Sequence, residues 1–224
     1  LVKHALLLWL VDRMQARGSL TVIDTHAGAG LYDLTGDAVR SREAEAGVAR
    51  LMASEALPPA IQTLAEEVAA LNPDGGVRFY PGSPLLVARR LGEGDAYLGF
   101  EMNPPVVELL NQALADHPRA SGRAADGYEA LAAATAQVRG PLVLIDPPFE
   151  QADDYQRAAD AATAVARRDP TATVAIWTPL KDMETFDGFL RRLSADKPGR
   201  VLVAEARLRP LTNPMKMNGC TLVM

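Results

Sequence analysis

The sequence predicts an α/β fold of the doubly wound, Rossmann-like type, and two observations carry that prediction. Short apolar runs rich in β-branched residues alternate along the chain with segments of helical periodicity. The first such run, residues 20–23, leads directly into the turn Asp24-Thr25-His26-Ala27-Gly28-Ala29-Gly30. A strand that feeds a glycine-rich turn is typical of the start of a nucleotide-binding domain, in which ligands bind at the carboxyl ends of the strands.

The composition supports one sizeable α/β domain. With 224 residues, 48% of them hydrophobic, the chain can bury a large core. Its single cysteine, Cys220, excludes an intramolecular disulfide and a cysteine-based zinc site, which suits the reducing cytoplasm. The net charge of −5 argues against a protein that coats nucleic acid without sequence preference. It is still compatible with a local basic face. We expect no membrane segment, and we expect native residues beyond Leu1 and Met224, since the chain begins without Met and ends inside a predicted strand.

Periodicity and turn residues predict the order of the elements. Helical spacing with glycine or proline stops predicts helices over residues 4–17, 41–56, 60–71, 85–91, 106–114, 128–135, 155–168 and 183–194. Apolar or alternating runs predict strands over residues 20–23, 77–80, 95–101, 119–125, 142–145, 172–177, 200–209 and 219–224. The spacer after the first strand is longer than a normal strand–helix connection. We therefore interpret residues 38–76 as a small helical insertion.

The glycine turn does not match the common phosphate-binding patterns. Asp33 stands where a dinucleotide fingerprint needs its third glycine, and no Gly-Lys-Ser/Thr follows. A short D-x-x-x-G-x-G turn is typical of S-adenosylmethionine (SAM) sites, because its glycines let the backbone approach a ligand that carries no pyrophosphate. An ordinary left-handed turn is the alternative, and the strand directly before the turn favours the ligand site.

Two later strands also end in acidic residues. Glu101 ends the strand at residues 95–101, where its two oxygens can accept hydrogen bonds from both hydroxyls of a ribose. Asp126, followed by Gly127, could accept a hydrogen bond from an adenine amino group. An exposed glutamate and a plain Asp-Gly turn are the alternatives at these two places.

The apolar strand at residues 142–145 ends abruptly in Asp146-Pro147-Pro148-Phe149. Neither proline can donate to a sheet ladder, so the strand must stop there. A carboxylate, unpaired backbone carbonyls and an aromatic ring then lie at the sheet edge where ligands bind. These four residues alone support a turn and an active site equally.

The sequence gives little support for a metal-binding site or for catalysis by a serine nucleophile. The three histidines, His4, His26 and His117, lack the spacing of a metal site. Ser83 lies in Gly82-Ser83-Pro84, which is not the G-x-S-x-G of a serine nucleophile. We interpret Ser83 either as a helix N-cap or as a ligand contact.

Taken in order, these motifs resemble the RlmJ family of 23S ribosomal RNA (adenine-N6)-methyltransferases. The resemblance covers nearly the whole chain, and the matching segments are Leu1-Val2-Lys3-His4, Asp24-Thr25-His26-Ala27-Gly28-Ala29-Gly30, Tyr80-Pro81-Gly82-Ser83-Pro84, Ala125-Asp126-Gly127 and Ile145-Asp146-Pro147-Pro148-Phe149. The glycine turn and its long spacer to P-G-S-P are the specific part, since DNA and protein methyltransferases share the D-P-P-F signature. The resemblance implies a class I methyltransferase fold over residues 1–224, with a mostly parallel seven-stranded sheet, a terminal antiparallel hairpin and the helical insertion.

The family's activity would then be transfer of a methyl group from SAM to the exocyclic nitrogen of an adenine in 23S rRNA. The resemblance implies a cytoplasmic enzyme that needs no metal, and we expect a monomer acting on rRNA free of ribosomal proteins. Asp146 would be the catalytic residue, with the Pro147 carbonyl and Phe149 holding the extruded base. The family usually has tyrosine where this chain has Phe149. The expected SAM-binding residues are Lys3, His4, His26, Gly28, Ser83, Glu101, Asp126, Gly127 and Asp146.

Other functions stay open at this point. A DNA adenine methyltransferase or a protein-glutamine methyltransferase would use the same signature. A DNA-binding protein for the use of external DNA as a nutrient would bind DNA without depending on SAM. The basic residues that could contact RNA, each equally consistent with a plain surface charge, are Arg40, Arg42, Arg207, Arg209 and Lys216.

Overall fold

A computed structural model describes residues 1–35, 42–151, 153–180, 183–196, 199–207 and 219–224. Its elements, in chain order, are α1 (Val2–Gln15), β1 (Thr21–Asp24), β2 (Leu31–Asp33), α2 (Arg42–Met52), α3 (Pro59–Leu71), β3 (Phe79–Pro81), α4 (Ser83–Ala88), β4 (Ala96–Glu101), α5 (Pro104–Ala113), β5 (Ala120–Ala124), α6 (Gly127–Thr135), β6 (Leu142–Ile145), α7 (Asp154–Arg168), β7 (Thr173–Pro179), α8 (Met183–Asp196), β8 (Val203–Arg207) and β9 (Gly219–Val223). No helix among the described residues is long and apolar enough to cross a membrane.

The main sheet has seven strands in the order β5-β4-β1-β6-β7-β9-β8. β1 pairs with β6, β4 with β5, and β6 with β7 in parallel. β9 pairs antiparallel with both β7 and β8, so it ends the sheet with a hairpin. The predicted Rossmann-like α/β fold, with its mostly parallel sheet and terminal antiparallel hairpin, is confirmed.

The chain divides into two compact units, of which the first comprises Leu1–Leu20 and Ala27–Ala124. Apolar side chains from four of its helices meet in one core cluster: Ala5, Leu8, Leu51, Leu64 and Leu86. The helices α2 and α3 of the predicted insertion contribute Leu51 and Leu64, so the insertion shares the core of α1 and α4. The prediction of a single domain is not tested by this division and stays a prediction.

The second unit comprises Thr21–His26 and Ala125–Met224. All four residues of β6 are buried, as expected of a strand that has a parallel partner on each side. The backbone N–H of Thr25, directly after β1, donates to the carbonyl of Leu144 at 3.0 Å. This bond holds the beginning of the glycine turn against β6.

The predicted segment at residues 77–80 belongs to a separate two-stranded sheet. β3 pairs antiparallel with β2, and Tyr32 lies opposite Tyr80. No sequence pattern predicts β2, because a strand of three residues is too short to display an alternating pattern.

The strand predicted over residues 172–177, with its end at Thr178-Pro179, is β7, which continues through Pro179. The parallel pairing with β6 ends at Ile145 opposite Ile176, while the antiparallel pairing with β9 continues to Pro179 opposite Cys220. A proline is tolerated there because the edge that has lost β6 needs no N–H from it.

Arg40, Arg209 and Lys216 lie outside the described residues. Arg42 begins α2 and Arg207 ends β8, and the side chains of both are likewise outside the description.

Candidate active site

The glycine turn and the end of β4 meet in the first unit. Gly28 and Gly30 have positive φ angles of 66° and 77°, a conformation that side chains disfavour. The backbone N–H of Gly28 donates to Glu101 Oε2 at 3.2 Å, and the backbone N–H of Asn103 donates to Glu101 Oε1 at 3.0 Å. Two of the predicted binding residues, Gly28 and Glu101, are therefore in direct contact, and the Glu101 carboxylate has a fixed orientation.

His4 lies in α1 and is buried against Tyr80 of β3. The two rings stack with centroids 5.4 Å apart, and His4 Nδ1 and the Tyr80 hydroxyl share a hydrogen bond of 2.7 Å. Burial lowers the pKa of His4 well below its usual value, and the positive charge of Lys3 lowers it further. His4 is therefore a neutral imidazole at pH 7, and Lys3 beside it in α1 is half-buried.

The structure corrects one interpretation of Ser83. The N-cap of α4 is Gly82, whose backbone is extended with φ −76° and ψ 174°, and Ser83 is the first helical residue. Ser83 is half-buried and one residue too far along to cap the helix. The N-cap interpretation is therefore wrong, and the ligand interpretation of Ser83 stays a prediction.

In the second unit, Asp126 is the N-cap of α6. Its Oδ1 accepts hydrogen bonds from the backbone N–H groups of Tyr128 at 2.9 Å and Glu129 at 3.4 Å. Its Oδ2 accepts a hydrogen bond of 2.7 Å from the Arg157 guanidinium on α7. Burial raises the pKa of Asp126, but the bonds from Arg157 and Tyr128 outweigh burial and hold the pKa below its ordinary value. Asp126 is thus an oriented, ionised carboxylate.

Gly127 follows Asp126 in a position that has no room for a side chain. A Cβ there would overlap the carbonyl oxygen of Thr25 and would lie 2.6 Å from the Thr25 Cα. The start of α6 therefore packs directly on the backbone that follows β1.

His26 has a ring position set by Thr25 and Tyr128. The Thr25 hydroxyl lies 3.0 Å from the Leu144 carbonyl and 2.7 Å from His26 Nδ1. Thr25 therefore ties the His26 ring to the carbonyl end of β6. The ring packs edge-on against Tyr128 at 4.9 Å, and the Arg157 guanidinium lies 4.5 Å from the centre of the Tyr128 ring.

The segment from Asp146 to Phe149 directly follows β6. Asp146 is half-buried, Pro147 is buried and Pro148 is exposed. Phe149 has a φ of +55°, which is rare for an aromatic residue. Its side chain is 4% exposed, and its ring centroid lies 4.6 Å from that of Tyr155. The Tyr155 hydroxyl in turn donates to the Pro179 carbonyl at 2.8 Å, so β7 anchors this aromatic pair.

Sequence reasoning missed Tyr32, Tyr128, Tyr155 and Arg157 as neighbours of the predicted residues. Arg157 meets Asp126 across 31 positions of the chain, and no local pattern indicates that contact.

Among the described residues, no three His, Cys, Asp or Glu side chains are grouped so that they could hold a metal ion.

Replacing Arg157 with alanine is expected to lower the free energy of unfolding by about 1 kcal/mol at pH 7. The value is modest because the Arg157 side chain is 39% exposed and solvent screens the pair. The folded-state pKa of Asp126 is below the ordinary 3.8, so the stabilisation is fully present above that pH and is lost as the pH falls through the folded-state pKa. Urea unfolding at neutral and acidic pH measures the effect, which should shrink on acidification.

The matched control for this prediction is Arg192→Ala. Arg192 pairs with Asp160, also on α7, but both side chains are more exposed, at 44% and 47%. We expect a loss of at most about 0.5 kcal/mol from this control. Equal, pH-independent losses in the two variants would contradict the assigned role of Arg157.

The strand order and the antiparallel β9 between β7 and β8 define a Rossmann-like, class I methyltransferase fold. A solved structure of protein LPL1258 from Legionella pneumophila has the same fold, with a TM-score of 0.88 and 24% sequence identity. That alignment covers 99% of this chain and 82% of the Legionella chain.

The sequence gives a more specific result than the fold. Residues 17–224 match the family described as ribosomal RNA large subunit methyltransferase D, RlmJ. An Escherichia coli K12 protein named ribosomal RNA large subunit methyltransferase J is 31% identical over 93% of this chain and 76% of its own length. A Haemophilus influenzae protein of the same name is 28% identical over 100% of this chain and 81% of its own length. The chain belongs to the RlmJ family of methyltransferases.

Proposed function

We propose that this chain transfers a methyl group from SAM to the exocyclic N6 of an adenine in 23S ribosomal RNA. One observation carries the proposal: Asp146-Pro147-Pro148-Phe149 directly follows the buried strand β6 in a member of the RlmJ family. The names of the relatives from E. coli and H. influenzae support ribosomal RNA as the class of substrate. We take the substrate to be rRNA free of ribosomal proteins.

The residues around the glycine turn fit SAM. Gly28 takes its positive φ without strain, and its N–H already orients the Glu101 carboxylate. We assign Glu101 to the ribose hydroxyls and Asp126 to the adenine amino group of the cofactor. The remaining proposed contacts are Lys3, His4, His26, Ser83, Gly127 and Asp146.

When bound, SAM supplies a methyl group that is activated by a sulfonium centre. The acceptor, an exocyclic adenine amine, is a poor nucleophile because its lone pair is delocalised into the ring. In the proposed mechanism the Asp146 carboxylate and the Pro147 carbonyl accept its two N–H hydrogens. These bonds favour a pyramidal nitrogen and direct its lone pair toward the methyl group. The nitrogen becomes acidic only after methylation, so Asp146 need not be a strong base beforehand.

Phe149 is assigned to the face of the extruded base. Stacking of a base on an aromatic ring contributes roughly 1–3 kcal/mol in comparable sites. Because the Phe149 ring is only 4% exposed, one of its faces must be uncovered before a base can stack on it.

Replacing Glu101 with alanine is expected to weaken SAM binding by about ten- to a hundredfold. The substitution removes the acceptor for two ribose hydroxyls, and hydrogen bonds to a charged group contribute about 1.5–3 kcal/mol. Isothermal calorimetry with SAM measures the change. Glu108→Ala, an exposed carboxylate on α5, is the matched control and should bind SAM as the wild type does. Unchanged affinity in Glu101→Ala would remove Glu101 from the site.

Methylation assays on stripped 23S rRNA, duplex DNA and a release factor test the proposed substrate. We expect radiolabel from SAM to enter the rRNA alone, and mass spectrometry of 23S rRNA from a deletion strain to lack one N6-methyladenine. Label in DNA or in the release factor would instead assign another methyltransferase activity. DNA binding that is independent of SAM, with no methylation of any of the three, would favour the nucleic-acid-binding alternative.

A further inference from the structure

Tyr32 lies against two of the glycines in the first unit. A Cβ added to Gly28 would lie 2.5 Å from the Tyr32 hydroxyl oxygen, and a Cβ added to Gly82 would lie 3.0 Å from Tyr32 Cε2. The hydroxyl therefore lies over Gly28 of the glycine turn, and the edge of the ring lies against Gly82. The missing side chains at both positions make room for this ring.

Backbone conformation explains only one of these two glycines. Gly28 has a positive φ and would be favoured as glycine in any case. Gly82 has a φ of −76°, which every residue adopts, so close contacts rather than its conformation require a glycine there. Those contacts are the Tyr32 ring and the carbonyl oxygen of Gly30, which a Cβ on Gly82 would meet at 3.2 Å.

Burial does not explain the position of the Tyr32 ring. The residue is 38% exposed, so it gains less from the hydrophobic effect than a core tyrosine such as Tyr97, which is 2% exposed. The hydroxyl end of the ring lies over Gly28, in the turn where the proposed function places the ligand. A polar group held at such a place is suited to contact that ligand.

The neighbouring groups indicate which part of a ligand would meet Tyr32. The N–H of Gly28 points to Glu101, which the proposed function assigns to ribose, while the Tyr32 hydroxyl lies beside the position of a Gly28 Cβ. Tyr80 lies opposite Tyr32 in the β2–β3 pair, and its hydroxyl bonds to His4. Since Asp126 is assigned to the adenine end, the other end of the cofactor is left for these hydroxyl groups.

The geometry points to the Tyr32 hydroxyl as a donor to the carboxylate of the amino-acid part of SAM. This inference rests on the proposed function, because it takes SAM as the ligand of the glycine turn. A phenol O–H that donates to a carboxylate forms a charge-assisted hydrogen bond, which is stronger than one between neutral groups. Tyr32 would thus recognise the part of the cofactor that does not react.

The test combines one substitution with two ligands. Tyr32→Phe removes only the hydroxyl and keeps the ring between Gly28 and Gly82. S-adenosylhomocysteine carries the amino-acid carboxylate, whereas 5′-methylthioadenosine keeps the adenosine and the sulfur without it. By calorimetry we expect the variant to bind S-adenosylhomocysteine roughly tenfold more weakly than the wild type does, and to bind methylthioadenosine within about twofold of the wild type. Thermal melting of the variant serves as the control for its fold.

Three results would overturn the inference. Unchanged affinity for S-adenosylhomocysteine would show that the hydroxyl makes no contact with the cofactor. Equal losses for both ligands would show that Tyr32 acts through the shape of the turn instead of through the carboxylate. Failure of the wild-type protein to bind either ligand would overturn the proposed function itself, and this inference with it, so the two failures are distinguishable.

Discussion

Replacing Asp146 with alanine is expected to lower the rate of methyl transfer to stripped 23S rRNA by at least about 10²–10⁴-fold, while much of the affinity for SAM remains. Alanine removes the carboxylate that accepts one hydrogen of the adenine amine, so the nitrogen keeps its lone pair in the ring. Most of the proposed cofactor contacts are made by other residues, and these are unchanged. Single-turnover transfer from radiolabelled SAM and calorimetric titration with SAM measure the two properties separately.

A matched control for Asp146 lies a few residues further on. Asp153 is exposed, and its side chain makes no capping hydrogen bond at the start of α7. Asp153→Ala removes the same charge from the same region and should keep the wild-type rate. Normal turnover by Asp146→Ala would refute the catalytic assignment, and equal losses in both variants would point to a general electrostatic effect.

Replacing Gly127 with alanine is expected to lower the free energy of unfolding by about 3 kcal/mol. The new Cβ would overlap the Thr25 carbonyl and lie within 2.7 Å of the carbonyl carbon. Thr25 cannot easily yield, because both its N–H and its hydroxyl donate to the Leu144 carbonyl at 3.0 Å. Thermal denaturation should show a melting temperature lowered by about 6–12 °C, as expected for a chain of this size.

Gly188→Ala is the control for this second prediction. Gly188 lies in α8, and a Cβ there would meet nothing within 4 Å. Alanine in a helix interior stabilises by roughly 0.5–1 kcal/mol relative to glycine, so the melting temperature should rise slightly. A melting temperature of Gly127→Ala at or above the wild-type value would contradict the packing argument. Loss of SAM binding in Gly127→Ala reports this distortion and is not by itself evidence for a cofactor contact.

The parts of the fold that the sequence predicted are those set by local patterns. β6 is a continuous apolar run stopped by two prolines, and β1 runs into a turn with two glycines, so composition alone marks their ends. The positions of Glu101 and Asp126 at the sheet edge could be predicted because Glu101 ends a predicted strand and Asp126 directly follows one. Secondary structure and the order of the motifs follow from short-range chemistry of this kind.

The parts that were not predicted depend on residues far apart in the chain. Tyr32 meets Gly82 only because β2 pairs with β3 across the helical insertion. Arg157 meets Asp126 only because α7 packs beside the start of α6. The N-cap interpretation of Ser83 failed by one residue, since Gly82 can take the extended cap conformation as readily as serine can.

The Phe149 ring is 4% exposed, so a base can stack on it only after one of its faces is uncovered. An aromatic pair such as Phe149 with Tyr155 contributes about 0.5–1.5 kcal/mol beyond its buried area, and a stacked base contributes about 1–3 kcal/mol. A base that took the place of Tyr155 on this ring would add only the difference, on the order of 1 kcal/mol, to the strength of RNA binding. A difference of that size corresponds to about fivefold in affinity. Phe149 would then govern how the adenine is oriented during turnover far more than how tightly the RNA is held.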